Sequence, residues 1–352
     1  MLRRRTESFK KYSSVPKVRA KPYRVCWTRK PRFGGTRNFM KAIRIHNYGG
    51  PEVLRHEEAP RPQLKEDELL IRVHAAGVNP LDWKVRSGSL NGSARHALPL
   101  IPGWDVSGVV ARVGRRVSRF KRGDQVFAMA DPTRDGTYAE YIAVREGIVA
   151  LKPKSLYHVR AAAVPLAALT AWQSLFNLGQ LQFGQRILIH GGGGGVGHFA
   201  VQLAKWKGAY VIATASTKNQ ELLRKLGADE TIDYTTRKFE RIVEKIDIVL
   251  DTIGGETQER SWRVLNNDGV LISLVQPASD QKAKQFSVRG VMCRVQPDSA
   301  QLSKIAKLID SAKLWPTINR ILPLGEARRA HELSQSGHVH GKIVLRVKDA
   351  EL

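Results

Sequence analysis

The sequence predicts an α/β protein in which a doubly wound parallel sheet is inserted into a β-rich domain, and three observations carry that prediction. From about residue 164 apolar strands alternate with helical stripes, the pattern of helices on both faces of a parallel sheet. Before that point the chain reads as short β-type runs separated by turn residues. A last strand at 342–347 follows after the parallel sheet is already built, so its simplest place is back in the β-rich part, with a cleft between the two. With 352 residues and 42% apolar content the chain has material for two cores.

In order, residues 1–39 are a basic leader, 40–163 the β-rich domain, 164–310 the parallel-sheet domain and 311–352 the return segment. The β-rich part opens on a strand from Met40 and continues through runs at 69–74, 107–113 and 125–128, divided by Gly49-Gly50-Pro51, Gly103 and residues 121–124. An alanine-rich stretch around Pro165 leads into a helical stripe to Phe176. Strands are then expected at 186–190, 209–213, 246–251, 270–275 and 287–293, with helices at 220–226, 257–264 and 300–309. A further helix is expected over 322–334, its start marked by Pro323.

The first of these strands runs into five consecutive glycines and then a helix. Gly192, Gly194 and Gly197 satisfy the G-x-G-x-x-G spacing: one glycine for the turn, one for close approach of phosphates, one for helix–strand packing. With strand and helix in register on either side, this predicts a dinucleotide site with the pyrophosphate at the helix N-terminus. After the second strand, where an Asp or Glu would bind a free ribose hydroxyl, the chain has Ser216, Thr217 and Lys218. Hydroxyl donors beside an ammonium suit a 2′-phosphate, so NADPH is expected over NADH. Tyr234, in the segment Asp233-Tyr-Thr-Thr236, is a further donor or a stacking surface for the adenine.

Charge and cysteine content exclude other classes. The net charge of +26 suggests nucleic acid, yet residues 1–40 alone hold thirteen Lys or Arg against the single acid Glu7. The rest carries no basic helix with aromatic platforms, no zinc-finger spacing and no zipper, so nucleic-acid binding is not expected as the main function. The leader reads as a dispensable arm on a cytoplasmic enzyme, with mitochondrial import as the alternative. No run of 18 apolar residues is present, so no membrane span is expected. Cys26 and Cys293 stand in unlike contexts and predict neither a disulfide framework nor a thiolate metal cluster.

Landmarks spread from Met40 to Val347 resemble the zinc-independent quinone oxidoreductases of the medium-chain dehydrogenase/reductase superfamily, and within them the alkenal/enone reductases. They include residues 49–54, 75–82, 102–108, 136–141 and 163–171, the glycine loop, residues 226–234 and 337–342. The resemblance implies a GroES-like catalytic domain interrupted by a Rossmann domain, a homodimer, and hydride transfer from NADPH to a quinone or to the β-carbon of an unsaturated carbonyl. It implies that Ser216, Lys218 and Tyr234 form the 2′-phosphate pocket and that Gly194, Gly195 and Val196 lie at the pyrophosphate. Thr170 would line the nicotinamide ribose, Asp251, Ile253 and Gly254 the turn over which the cofactor passes, and Leu274 and Val275 the wall behind the carboxamide. Asn79 and Lys84 match positions beside nicotinamide and substrate.

Zinc-dependent relatives need a thiolate and an imidazole to hold the metal. At the matching places this chain has Asn79 and the pair Trp104-Asp105, so no catalytic zinc is expected. The histidines, ten in all, show no tight ligand spacing and read as surface or supporting residues. A quinone or enone is already electrophilic, so the protein has mainly to position the reactants and exclude water. Charge on the substrate oxygen would then be met by Lys84 or a cofactor ribose hydroxyl, with Asn79 orienting one of them. Trp83 and Trp104 would wall a flat substrate or, equally well, pack in the core. Two alternatives stay open: an enoyl-thioester reductase on the same scaffold, and an NADPH sensor or RNA-binding protein that uses the basic leader.

Overall fold

The computed structural model describes residues 38–89 and 96–348. The expectations for the leader up to residue 37, for Cys26 and for 90–95 of the loop after the first helix lie outside those residues. In chain order the elements are β1 (Phe39–Arg44), β2 (Arg55–Pro60), β3 (Glu68–Val78), α1 (Pro80–Arg86), β4 (Asp105–Val113), β5 (Gln125–Met129), β6 (Tyr141–Arg145), β7 (Val149–Leu151), α2 (His158–Ala161) and α3 (Pro165–Trp172). They continue as β8 (Arg186–Ile189), α4 (Gly197–Lys207), β9 (Tyr210–Ala215), α5 (Gln220–Lys225), β10 (Glu230–Asp233), β11 (Ile246–Asp251), α6 (Gly255–Ser261), β12 (Leu265–Ser273), α7 (Asp280–Gln285), β13 (Arg289–Met292), α8 (Ser299–Asp310), β14 (Ile318–Pro323), α9 (Ala327–Gln335) and β15 (Lys342–Arg346).

Six strands form one parallel sheet in the order β10-β9-β8-β11-β12-β13. The period-2 alternation of each strand feeds two cores. Ile187, Ile189, Val211, Leu250 and Ile272 face one helical layer, while Leu188, Ile212, Val249 and Leu271 face the other. Chain order reverses between β8 and β11, so a crevice opens there at the C-terminal ends of the strands. One strand more is present than the five expected. β10 has four residues, of which only Ile232 is buried, too little apolar pattern to stand out.

The second sheet runs β14-β15-β3-β4-β5-β7, with β6 also on β3. Strand β15 joins it as expected, antiparallel to β3 with Ile343 opposite Val78 and Leu345 opposite Ala76. The helix expected from Pro323 begins later. Residues 318–323 form β14 at the sheet edge, where the missing proline N–H leaves no ladder bond unmade, and the helix starts at Ala327. The helical stretch 158–178 is long and apolar enough to cross a membrane, but 83% of it is buried inside the fold, as a core helix requires.

Candidate active site

At the crevice, β8 leads through the glycines into α4. The positive φ of the turn falls on Gly191, at 66°, one residue before the motif's first position. Gly192 instead packs under Leu223 and Ala213, with no room for a larger side chain. At Gly197 a Cβ would stand 2.2 Å from the Gly191 carbonyl oxygen, so only glycine lets helix and loop meet. Gly194, Gly195 and Val196 are half-buried at the helix N-terminus, in position for an anion.

Past the ends of the next strands the side chains are arranged as a rim. Ser216 follows β9 and is half-buried; Lys218 is exposed on the short turn after it. Thr217 is not available as a donor there, because its hydroxyl bonds Asp233 Oδ2 at 2.5 Å, and Thr235 also bonds that carboxylate. These bonds hold the Asp233 carboxyl below its ordinary pKa. Tyr234, Ile253 and Val275 stand just beyond β10, β11 and β12 and are 57%, 53% and 40% exposed, large apolar groups left open to the crevice. Leu274 is half-buried behind Val275.

Asp251 is at the crevice but its carboxylate is spent locally. It accepts the N–H groups of Ile253 and Gly254 at 2.9 Å each and Gln258 Nε2 at 3.2 Å, and is fully buried. It therefore shapes the turn rather than meeting a ligand. Thr170, on α3, is also buried and donates to Leu166 O at 2.7 Å.

On the catalytic-sheet side, α1 opens with a capping box. Asn79 is the N-cap residue: its carbonyl accepts the Asp82 N–H at 3.0 Å, while its own N–H donates to Asp82 Oδ2 at 2.8 Å. The Asn79 amide is spoken for: Nδ2 donates to Asp105 Oδ2 at 2.9 Å, and Oδ1 accepts from the Lys342 ammonium. Of the two groups that Asn79 is expected to orient, its amide therefore makes no bond to Lys84, whose Nζ lies 5.8 Å from the centre of its neighbour Trp83. Trp83 is half-buried and its indole N–H has no partner among the described residues. For Trp104 the core reading holds: it is fully buried with Leu100, Val106 and Ile142 and donates its indole N–H to Arg134 O, so it walls no pocket here.

Sequence reasoning missed a buried polar cluster around Asn79. Lys342, at the start of β15, is 3% exposed and lies 3.7 Å from Asp105 Oδ2 while donating to Val78 O at 3.0 Å. Burial pulls the Asp105 pKa up and the Lys342 pKa down, and each charge opposes the shift of the other. The bonding geometry favours the ion pair, since Asp105 also accepts the Leu166 N–H at 2.7 Å. A second chain of bonds runs from Asp82 Oδ2 to Tyr138 Oη at 2.7 Å, to His331 Nε2 at 3.3 Å, and from His331 Nδ1 to Arg86 Nη1 at 3.3 Å. With Tyr138 donating to Asp82 and Arg86 donating to Nδ1, His331 is the neutral Nε2–H tautomer. Burial, then the Arg86 charge, push His331 down to about 3, and burial pushes Asp82 up to about 7.

Three histidines expected at the surface or in supporting roles are in fact fully buried. His190 lies against Thr214 Oγ1 and Ser261 Oγ, His198 against the Gly194 carbonyl, and His331 in the chain above. Among the described residues no three His, Cys, Asp or Glu side chains converge as a metal site. A thiolate–imidazole zinc set does not fit where Asn79 and Trp104 stand, because the amide is tied to a buried ion pair and the indole belongs to the core.

Known proteins share this arrangement. Residues 65–154 match the family described as alcohol dehydrogenase GroES-like domain, and 226–345 that described as zinc-binding dehydrogenase. A protein of Arabidopsis thaliana named NADPH-dependent alkenal/one oxidoreductase, chloroplastic, is 37% identical over 317 residues, 87% of this chain and 79% of that one. NAD(P)H oxidoreductase RTN4IP1, mitochondrial, of Danio rerio is 33% identical over 360 residues, 89% of this chain and 92% of its own length. The solved quinone oxidoreductase of Coxiella burnetii superposes with a TM-score of 0.82 at 37% identity, covering 88% of this chain and all of that one. With two sheets joined by a returning strand, a glycine loop at the switch point and relatives aligned across both, the chain belongs to the quinone oxidoreductase and enone reductase branch of the medium-chain dehydrogenase/reductase superfamily.

Proposed function

We propose that the chain is an oxidoreductase that uses NADPH to reduce a quinone or the C=C bond of an α,β-unsaturated carbonyl, without zinc. The observation that carries this reading is the crevice at the switch point, where a loop held to glycine at 191, 192 and 197 meets a helix N-terminus and three open side chains follow along the strand ends. When bound there, the nicotinamide supplies the hydride.

The residues of the chain have the remaining tasks. Gly194, Gly195 and Val196 take the pyrophosphate, presented by the close packing at Gly192 and Gly197, and Thr170, Ile253, Gly254, Leu274 and Val275 confine the nicotinamide half. Ser216 and Lys218, with Tyr234 beside them, favour the 2′-phosphate, and β9 ends without an acid. The reaction needs no metal because its acceptor is already electrophilic. Lys84 meets the charge that develops on the acceptor oxygen, and the spare Trp83 N–H is a second donor in reach of the same pocket. Asn79 acts by fixing the start of α1, on which both side chains are carried. Replacing Lys84 by Ala is expected to lower kcat about tenfold, some 1.4 kcal/mol of transition-state stabilisation; unchanged turnover removes Lys84 from the mechanism.

The reading is tested by anaerobic NADPH oxidation with matched quinones, enones and an enoyl thioester, NADH serving as control. Turnover with quinones or enones is expected. Turnover with the thioester alone selects the enoyl-thioester reductase, and tight NADPH binding without any turnover selects the sensor.

The same reading assigns 40–163 and 311–352 to the catalytic domain and 164–310 to the nucleotide domain. It includes a homodimer, for which β13 offers an open strand edge and which light scattering checks. Cytoplasmic location and import by the leader are separated by sequencing the N-terminus of the mature protein; the mitochondrial relatives favour import.

A further inference from the structure

The strand that completes the catalytic sheet starts on the phosphate loop. The Gly341 N–H donates to Gly193 O at 2.8 Å, and the stem of Lys342 lies over Gly195, where a Cβ would be 3.3 Å from Lys342 Cδ. From the loop the side chain runs into the catalytic sheet, where its ammonium reaches Val78 O, Asn79 Oδ1 and Asp105. Asp105 is bonded in turn to the Leu166 N–H, in the first turn of the helix that carries Thr170. One side chain thus touches the loop expected to hold the pyrophosphate and the cap of the helix that carries Lys84.

Hydride transfer itself makes no use of this lysine. Stability alone does not call for it either, because a buried ion pair is commonly matched by apolar side chains of similar volume. What an apolar replacement lacks is a fixed hydrogen-bonded reach from Gly195 to Asn79. The charge is also felt on the loop side: burial, offset by the bond to the Gly194 carbonyl and added to by the nearby Lys342 ammonium, holds His198 in the first turn of α4 down to about 4.

We infer that Lys342 is a positioning residue that registers the phosphate loop against Asn79, so that dinucleotide binding and the placement of the acceptor pocket are linked through this one side chain. The inference rests on the proposed NADPH-dependent reading of the site. It adds a specific claim: the two halves of the active site communicate through Lys342.

The test compares wild type, Lys342→Arg and the charge-balanced pair Lys342→Met with Asp105→Asn. Each is measured for unfolding temperature, for NADPH dissociation constant by fluorescence without acceptor, and for kcat and acceptor KM. The expected result is a folded double variant with NADPH bound about tenfold more weakly and kcat at least tenfold lower, and partial recovery in Lys342→Arg. A folded double variant with wild-type binding and turnover overturns the inference, as does a loss confined to unfolding temperature. Hydrogen exchange on wild type keeps the test independent of variant folding. NADP⁺ is expected to slow exchange at residues 191–197 and also at 77–82; protection confined to the nucleotide sheet and its loops overturns the link. Failure of wild type to bind or oxidise NADPH instead overturns the functional reading itself.

Discussion

The phosphate loop and the cluster around Asn79 sit in one active site but are built by opposite means. The loop works through the backbone: its tight positions, Gly191, Gly192 and Gly197, leave no room for a side chain, and its strand, turn and helix follow one another in sequence. The cluster works through buried charge, and its members Asn79, Asp82, Asp105, Tyr138, His331 and Lys342 come from widely separated segments. The contrast teaches that a ligand with a fixed polar shape can be met by a local turn, while orienting catalytic groups takes a scaffold assembled from the whole chain.

The sharpest way to break the contrast is Asp105→Ala, which leaves Lys342 buried without its counter-charge and the Leu166 N–H without an acceptor. A loss of about 3–5 kcal/mol in denaturant unfolding is expected. Gly197→Ala strikes the backbone-built region instead, forcing helix and loop apart at a 2.2 Å contact. It should cost about 1–3 kcal/mol of stability and weaken NADPH binding at least tenfold in a fluorescence titration.

Titration separates the regions next. Burial raises the Asp82 pKa to about 7 from an ordinary 3.8, so the folded protein keeps a proton that the unfolded chain releases. This group makes stability fall as pH rises from about 4 to about 7, by up to about 1.4 kcal/mol per pH unit. Asp82→Asn should abolish that slope, so that the difference between the wild-type and variant stability profiles falls from about pH 4 to about pH 7; parallel profiles would refute the assignment. The smallest effect is expected at exposed Lys218. Its replacement by Ala should weaken NADPH binding about fivefold, roughly 1 kcal/mol, and leave NADH unchanged.

Legibility in the sequence follows the same division. The glycine loop could be read because its strand, turn and helix are contiguous, although the turn itself falls on Gly191. The role of Lys342 could not, since its partner Asn79 lies 263 positions away and nothing local marks a lysine that will be buried. Trp104 could be read either way because an aromatic beside a motif looks the same whether it lines a cavity or fills a core. Pro323 opens helices and also ends edge strands, and only the pairing of β14 with β15 decides between them.

The strand order has a consequence for how the protein is made. The parallel sheet lies within one continuous stretch, from Arg186 to Met292, and can close while the ribosome is still adding residues. The catalytic sheet must wait, since β15 fills the place beside β3 and emerges only after the whole parallel sheet. A chain stopped short of Lys342 would hold a finished nucleotide sheet, a bare β3 edge and no lysine between loop and Asn79. Such fragments would be recognisable to quality control by their open edge, and the active site is complete only once β15 has emerged.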